Sequence, residues 1–267
     1  MLREAETVYP GRMPPWAIVR SVPASFARAL CAAPPDPPID VARARAQHAA
    51  YVAALAATGA DIVTVASDED CPDCCFVEDV AVLIGDAALV TRPGAPSRRA
   101  ETDPVAAVLA GRALLLRMEA PATLDGGDCL RLGRTFYVGL SARSNRAGIE
   151  SLAAAAAPRG FTVVPLDMPP GVLHLKSVCS PLTDDTLLIA ENTLAPRAFA
   201  GARALIAPAS ETHASNAVAT GDTVLVAAGA PVTRALVEAT GLRTVEVDTS
   251  ELRKADGALT CLSIVSG

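Results

Sequence analysis

The sequence predicts an α/β chain built as a closed ring of about five ββαβ units. Three observations predict it. An apolar hairpin with a tight polar turn, an amphipathic helix and a short apolar strand recur in that order, at a period of roughly 40–50 residues. One helix and strand near the start have no hairpin of their own. Two unpaired apolar strands stand at opposite ends of the chain, and together they supply the missing hairpin.

In chain order, the apolar run Ala17–Val22 reads as the first unpaired strand. Asp40–Thr58 follows as a helix, and Asp61–Ser67 as a strand. The first full unit is a hairpin over Val80–Thr91 turning at Gly85-Asp86, a helix near Asp103–Ala110 and a strand near Arg112–Met118. The second is Cys129–Gly139 turning at Gly133-Arg134, then Ser144–Ala157 and Phe161–Asp167. The third is Ser177–Ala190 turning at Asp184-Asp185, then a weaker helix near Leu194–Ala200 and a strand over Ala202–Pro208. The fourth is Asn216–Ala228 turning at Gly221-Asp222, then Val232–Thr240 and Arg243–Asp248. The Gly-Asp turns suit hairpins because glycine reaches positive φ at no steric cost, and Val, Ile, Leu and Thr fill the flanking strands. Leu259–Val265 is the second unpaired strand. Closure matters for function, because loops from distant parts of the sequence then meet around one axis.

With 267 residues and 51% hydrophobic content, the chain can bury a large core, expected as a single domain over 1–267. Charged residues are 19% and the net charge is −6, without a basic stripe, which argues against a nucleic-acid partner. No segment approaches the roughly 18 apolar residues of a membrane helix. Met1-Leu2-Arg3-Glu4-Ala5-Glu6 carries acids and no apolar h-region, so no secretory signal is expected. Seven cysteines, an odd number, read as reduced thiols and place the expected location in the cytoplasm. A small-molecule substrate fits these properties, and a homodimer stays open.

Three histidines are present. His48 lies in the Asp40–Thr58 helix near Arg45 and Gln47 and reads as solvated. His174, after Pro169-Pro170-Gly171, and His213 both lie in loops. Cys31, Cys129 and Cys179 read as small buried hydrophobes in or beside strands. Cys71-Pro72-Asp73-Cys74-Cys75 contains a CxxC, but a structural zinc site needs a second pair and none exists, and the segment leads into a strand rather than a helix. Cys261 follows a glycine-containing loop at the start of the terminal strand, where a side chain can project into a cleft.

Taken together, Pro72-Asp73-Cys74-Cys75-Phe76-Val77-Glu78-Asp79-Val80-Ala81-Val82, the run Thr91 to Arg99, Leu124-Asp125-Gly126-Gly127-Asp128, Gly139-Leu140-Ser141-Ala142-Arg143-Ser144-Asn145, Leu173-His174-Leu175-Lys176-Ser177 and the Cys261 loop from Lys254 to Ser263 resemble the dimethylarginine dimethylaminohydrolases of the guanidine-modifying, or pentein, superfamily. The resemblance implies a five-bladed α/β propeller in which the N- and C-terminal strands share one blade. It implies hydrolysis of asymmetric dimethylarginine and monomethylarginine to citrulline and an alkylamine, through an S-alkylthiouronium on Cys261. His174 would be the general acid and base and Asp125 its orienting acid. Asp73, Glu78 and Asp79 would meet the cationic guanidinium, Arg98 and Arg143 the α-carboxylate, and backbone carbonyls at Leu30 and Ala255 the α-amine. Ala24–Ala33, between prolines, has the place of a lid. No cofactor is expected, although zinc at Cys261 would inhibit. Other readings are an arginine deiminase or other guanidine hydrolase on the same core, a propeller that binds without catalysing, and a zinc or redox protein built on Cys71–Cys75.

Overall fold

The computed structural model describes residues 15–266. Five three-stranded sheets are present, and each holds an antiparallel hairpin with a third strand parallel to the hairpin's inner member. The closing sheet joins the chain ends. β1 (Trp16–Arg20) lies antiparallel to β15 (Ser263–Val265), with Ala17 opposite Val265, and parallel to β2 (Asp61–Val65). The other sheets run in sequence: β3 (Ala81–Ile84), β4 (Ala87–Val90) and β5 (Leu114–Arg117); β6 (Cys129–Leu132), β7 (Thr135–Leu140) and β8 (Thr162–Asp167); β9 (Cys179–Pro181), β10 (Thr186–Ala190) and β11 (Arg203–Ala207); β12 (Val218–Thr220), β13 (Thr223–Ala227) and β14 (Arg243–Val247). The predicted ring of ββαβ units, closed by the terminal strands, is the observed architecture.

The middle strand of each sheet is buried on both faces, which explains why β4, β10 and β13 read as unbroken apolar runs rather than alternating ones. Gly85, Gly133 and Gly221 carry left-handed φ of +61°, +55° and +59° at their hairpin turns, where a side chain would be strained.

α1 (Val41–Ala57) begins where the Asp40 side chain accepts from the Arg43 amide at 3.0 Å. Its buried residues Ala44, His48, Tyr51 and Leu55 fall at helical spacing on one face. Burying Tyr51 and Leu55 is worth roughly 1.5–3 kcal/mol each by hydrophobic transfer, and Tyr51 Oη also bonds Ser263 Oγ at 2.6 Å, tying the first helix to the last strand. α2 (Thr102–Leu109), α3 (Arg146–Ala156) and α4 (Pro231–Glu238) cross between sheet strands in three further units. No helix among the described residues is long and apolar enough to cross a membrane.

Three local expectations are corrected. The helix expected near Leu194–Ala200 is a single 3₁₀ turn, Pro196–Ala198. Asn192 at φ +61° and Gly201 at φ +76° bracket the segment, and Pro196 offers no amide, so too few residues remain to propagate a helix. His48 is buried rather than solvated, at 7% exposure, and its Nε2 has no partner; burial pushes its pKa down to about 4. Cys129 and Cys179 are buried as expected, whereas Cys31 is half-buried in a loop away from any strand.

Candidate active site

A 3₁₀ turn precedes the first strand of every hairpin: Val77–Val80, Gly126–Asp128, Leu175–Ser177, Ala209–Ser215 and Thr260–Leu262. Side chains link these five turns into a closed circuit. Asp79 Oδ1 accepts from the Gly127 amide at 2.9 Å, and Asp128 Oδ1 accepts from the Leu175 amide at 3.0 Å. Asn216, at the end of the fourth turn, donates from Nδ2 to the Lys176 carbonyl at 2.7 Å and to Thr260 Oγ1 at 3.0 Å. Thr260 Oγ1 in turn donates to Glu78 Oε2 at 2.7 Å, which returns to the first turn. Residues up to 182 positions apart are thereby brought to one place.

His174 is 5% exposed and its Nε2 lies 3.0 Å from Asp125 Oδ2. The other nitrogen, Nδ1, faces Gly127 and Asp79: a methyl group built on Gly127 would stand 2.8 Å from Nδ1 and 2.9 Å from Asp79 Oδ1. Glycine here is a matter of space. Burial would push the imidazolium pKa down, but Asp79, Asp125 and Asp128 outweigh it and hold it up at about 9. Asp125 is fully buried, and its second oxygen accepts from the Gly94 amide at 2.8 Å. Arg143 Nη1 stands 3.7 Å from Asp125 Oδ2. Asp128 accepts from Ser141 Oγ and Ser144 Oγ, both at 2.6 Å, while Ser144 Oγ accepts from the Asp125 amide at 3.1 Å. Burial raises the Asp128 pKa despite His174 nearby.

Cys261 is half-buried in the last turn. Burial pushes its thiol up, and the charges of Glu78 and Asp79 add to that, to about 12, against a smaller opposing pull from Lys176. Asp79 is thus the charge shared by the two reactive groups: it holds the imidazole protonated and the sulfur protonated.

The acids fall together, though not identically. Burial alone would raise the Asp79 pKa, but His174 and Arg98 bring it down to about 2. Asp73 and Glu78 have pKa values raised by burial. Glu78 uses both oxygens internally, one on Lys176 Nζ at 2.5 Å and the other on Thr260. Arg98 is 4% exposed and donates to Asp79 Oδ2 at 2.6 Å, to the Phe76 carbonyl at 2.8 Å and to both oxygens of Glu101 at 2.8–3.2 Å. Of the two arginines expected to meet an α-carboxylate, Arg143 is the more open, with 21% of its side chain exposed.

The Ala24–Ala33 segment is pinned down over the acids. Glu69 accepts from the amides of Ala24 and Ser25, Asp73 from Leu30 at 3.0 Å, and Asp256 from Ala32 at 2.6 Å. Asp256 follows Ala255 directly, so the two loops expected to hold an α-amine are tied together. Asp79, Asp125 and His174 offer three donor atoms within 4.8 Å of one another, close enough for a metal ion; Cys71, Cys74 and Cys75 are buried and form no part of that group.

Lys176, Asn216, Thr260, Asp128 and Ser144 are the members to which the sequence assigns no role. Asp128, Ser144, Lys176 and Thr260 lie inside the motifs singled out above without a part of their own there, and nothing in the sequence pairs Asn216 with Thr260.

Residues 36–207, more than half the chain, match the family model described as N,N dimethylarginine dimethylhydrolase, eukaryotic. The chain is 37% identical over 231 residues to N(G),N(G)-dimethylarginine dimethylaminohydrolase of Pseudomonas aeruginosa, covering 84% of this chain and 89% of that one. It is 42% identical over 228 residues to the protein of the same name from Streptomyces coelicolor, covering 85% and 87%. The solved Pseudomonas aeruginosa structure, a cysteine-to-serine mutant complexed with citrulline, superposes with a TM-score of 0.91 at 33% identity, over 96% of this chain and 100% of that one. The ring of blades, the order of the motifs along it and these matches agree: the chain belongs to the dimethylarginine dimethylaminohydrolase family.

Proposed function

We propose that this chain hydrolyses Nω-methylated arginine, asymmetric dimethylarginine and monomethylarginine, to citrulline and the corresponding alkylamine, with Cys261 as nucleophile. The observation that carries the reading is the circuit of turns: it sets the Asp125–His174 pair and the Cys261 turn against the same acid, Asp79.

Without a ligand, burial, aided by the charges of Glu78 and Asp79, keeps Cys261 a thiol. A guanidinium bound among Asp73, Glu78 and Asp79 reverses that field. One positive charge at ~4 Å is worth about 4 kcal/mol near a protein surface, and that favours the thiolate roughly a thousandfold. The sulfur then attacks the guanidinium carbon and forms a tetrahedral species. Imidazolium His174, oriented by Asp125, gives its proton to the departing amine nitrogen as the C–N bond breaks. An S-alkylthiouronium remains on Cys261. The neutral imidazole takes a proton from a water that attacks the same carbon; as the C–S bond breaks the new hydroxyl gives its proton to solvent, and citrulline leaves with the thiolate and the imidazolium restored. Arg143 and Arg98 supply positive charge toward the α-carboxylate, and the Leu30 and Ala255 carbonyls accept from the α-amine. No step requires a metal or cofactor.

The test is turnover. Purified protein should release dimethylamine from asymmetric dimethylarginine and methylamine from monomethylarginine, with far slower release of ammonia from unmethylated arginine. Preference for unmethylated arginine would reassign the chain to deiminase chemistry. Full alkylamine release by Cys261→Ser would overturn the mechanism.

A further inference from the structure

Beside the nucleophile, four polar residues are bonded to one another in a pattern that this chemistry leaves unexplained. Each comes from a different unit of the ring: Glu78, Lys176, Asn216 and Thr260. Asn216 grips Thr260 at two points. Its Oδ1 accepts from the Thr260 amide at 2.9 Å, and its Nδ2 donates to Thr260 Oγ1 at 3.0 Å and to the Lys176 carbonyl at 2.7 Å. The amide orientation is forced, because the Thr260 N–H can only donate and the Lys176 carbonyl can only accept. Thr260 Oγ1, occupied by that donor, spends its single proton on Glu78 Oε2 at 2.7 Å, and the other Glu78 oxygen binds Lys176 Nζ at 2.5 Å. Asn216 is 2% exposed, Thr260 7% and Glu78 9%. The chain of donors and acceptors closes on itself.

We propose that Lys176, Asn216 and Thr260 are positioning residues for the reaction: with Glu78 bridging Lys176 and Thr260 they form a closed hydrogen-bonded ring that fixes the turn carrying Cys261. The inference rests on Cys261 being the nucleophile. Thr260 is its chain neighbour and the first residue of its 3₁₀ turn, so both backbone and hydroxyl of the preceding residue are fixed before Cys261 projects from it. Lys176 has a second effect. It is a positive charge within range of the sulfur, opposing the burial and the acids that together keep it protonated. A buried Glu78 without Lys176 would be an uncompensated charge beside the thiol. Near-attack geometry tolerates little error, and a displacement of about 1 Å can cost on the order of 10²-fold in rate.

The experiment is a kinetic comparison of Thr260→Val, Thr260→Ser and Lys176→Met, each checked for folding by circular dichroism, with Cys261→Ser alongside. Thr260→Val keeps the volume and removes the hydroxyl. The expected result is a kcat lower by on the order of 10²-fold with KM little changed, and recovery of most of that loss in Thr260→Ser. Iodoacetamide alkylation of Cys261 at one fixed pH, which needs no substrate, should also slow in Thr260→Val, and in Lys176→Met should slow by on the order of tenfold as the thiolate fraction falls. Should Thr260→Val not fold, Lys176→Met decides through the same alkylation rate, and an unchanged rate there would overturn the proposal. Wild-type kcat in folded Thr260→Val would overturn it too, as would equal damage from serine and valine at 260. An inactive Cys261→Ser with a fully active Thr260→Val means that the ring alone has failed; an active Cys261→Ser means that the functional reading beneath it has.

Discussion

Replacing Asp125 with asparagine changes charge and proton placement while leaving volume almost untouched. The carboxylate is fully buried and makes two short contacts, 2.8 Å from the Gly94 amide and 3.0 Å from His174 Nε2. The Gly94 N–H is an obligate donor, so the asparagine must turn its oxygen there and present its NH₂ to the imidazole. Nε2 is then forced to be the unprotonated acceptor, and the imidazolium that acts as general acid is disfavoured. The His174 pKa stands at about 9, against an ordinary value of 6.5, which corresponds to about 3 kcal/mol of preference for the charged ring. Asp125 is one of three carboxylates responsible, so its loss should remove about 1–2 kcal/mol of that preference, and the opposing NH₂ dipole should remove more. The expected outcome for Asp125→Asn is a kcat lower by roughly 10²–10⁴-fold, in the manner of other triads given the wrong tautomer. The alkaline limb of kcat/KM should also move from near pH 9 toward neutrality. Citrulline formation across roughly pH 6–10, with NMR titration of the His174 ring, reads both effects. An alkaline limb unmoved in Asp125→Asn, or a kcat close to wild type, would refute the assignment of Asp125 as the orienting acid.

Other consequences follow from the same geometry. Gly127→Ala should keep the fold but cost on the order of 10²-fold in kcat, because the new methyl would stand 2.8 Å from His174 Nδ1 and 2.9 Å from Asp79 Oδ1; unaltered steady-state kinetics would contradict the placement of Nδ1. The raised His174 pKa also sets a stability slope. The folded protein holds that proton more tightly than the unfolded chain, so the contribution is complete below pH 6.5 and disappears as pH rises to about 9. Urea unfolding should show wild type losing about 3 kcal/mol more than His174→Gln between pH 6.5 and 9, and parallel curves would show that the ring is not charged. Tyr51→Phe, which strips the hydroxyl from Ser263 at the ring closure, should lower stability by about 1 kcal/mol in the same assay without changing KM. Finally, exhaustive dialysis against a chelator should leave turnover intact while added zinc inhibits, as expected of a thiolate–imidazole site with no resident metal; loss of activity restored by zinc would contradict this.

Much of the architecture is legible in the sequence because its signals are local. The Gly85, Gly133 and Gly221 turns announce themselves by residue type, and α1 by Asp40 at its start and an apolar stripe. Ring closure is less direct and follows from the strands left without partners. His48 misleads because its polar identity outweighs its position, although Ala44, His48, Tyr51 and Leu55 share one helical face. The short Pro196–Ala198 turn shows the reverse error, apolar spacing outweighing a proline and its flanking left-handed residues. The motif-bearing members of the site can be named by resemblance to a family. The ring around Thr260 cannot, since its bonds join residues 44, 98 and 182 positions apart and depend on which side chains the five turns deliver to the axis.

If the sulfur of Cys261 attacks the guanidinium carbon while His174 manages the protons, a variant unable to activate water should accumulate the thiouronium. Intact-protein mass spectrometry of His174→Gly mixed with S-methylthiocitrulline, whose thiolate leaving group needs no proton from His174, looks for that species itself. The expected result is a covalent mass increase that peptide mapping assigns to Cys261 and that is absent in Cys261→Ser. An adduct on Cys71, Cys74 or Cys75 would contradict the mechanism, as would turnover by Cys261→Ser with no adduct on any cysteine.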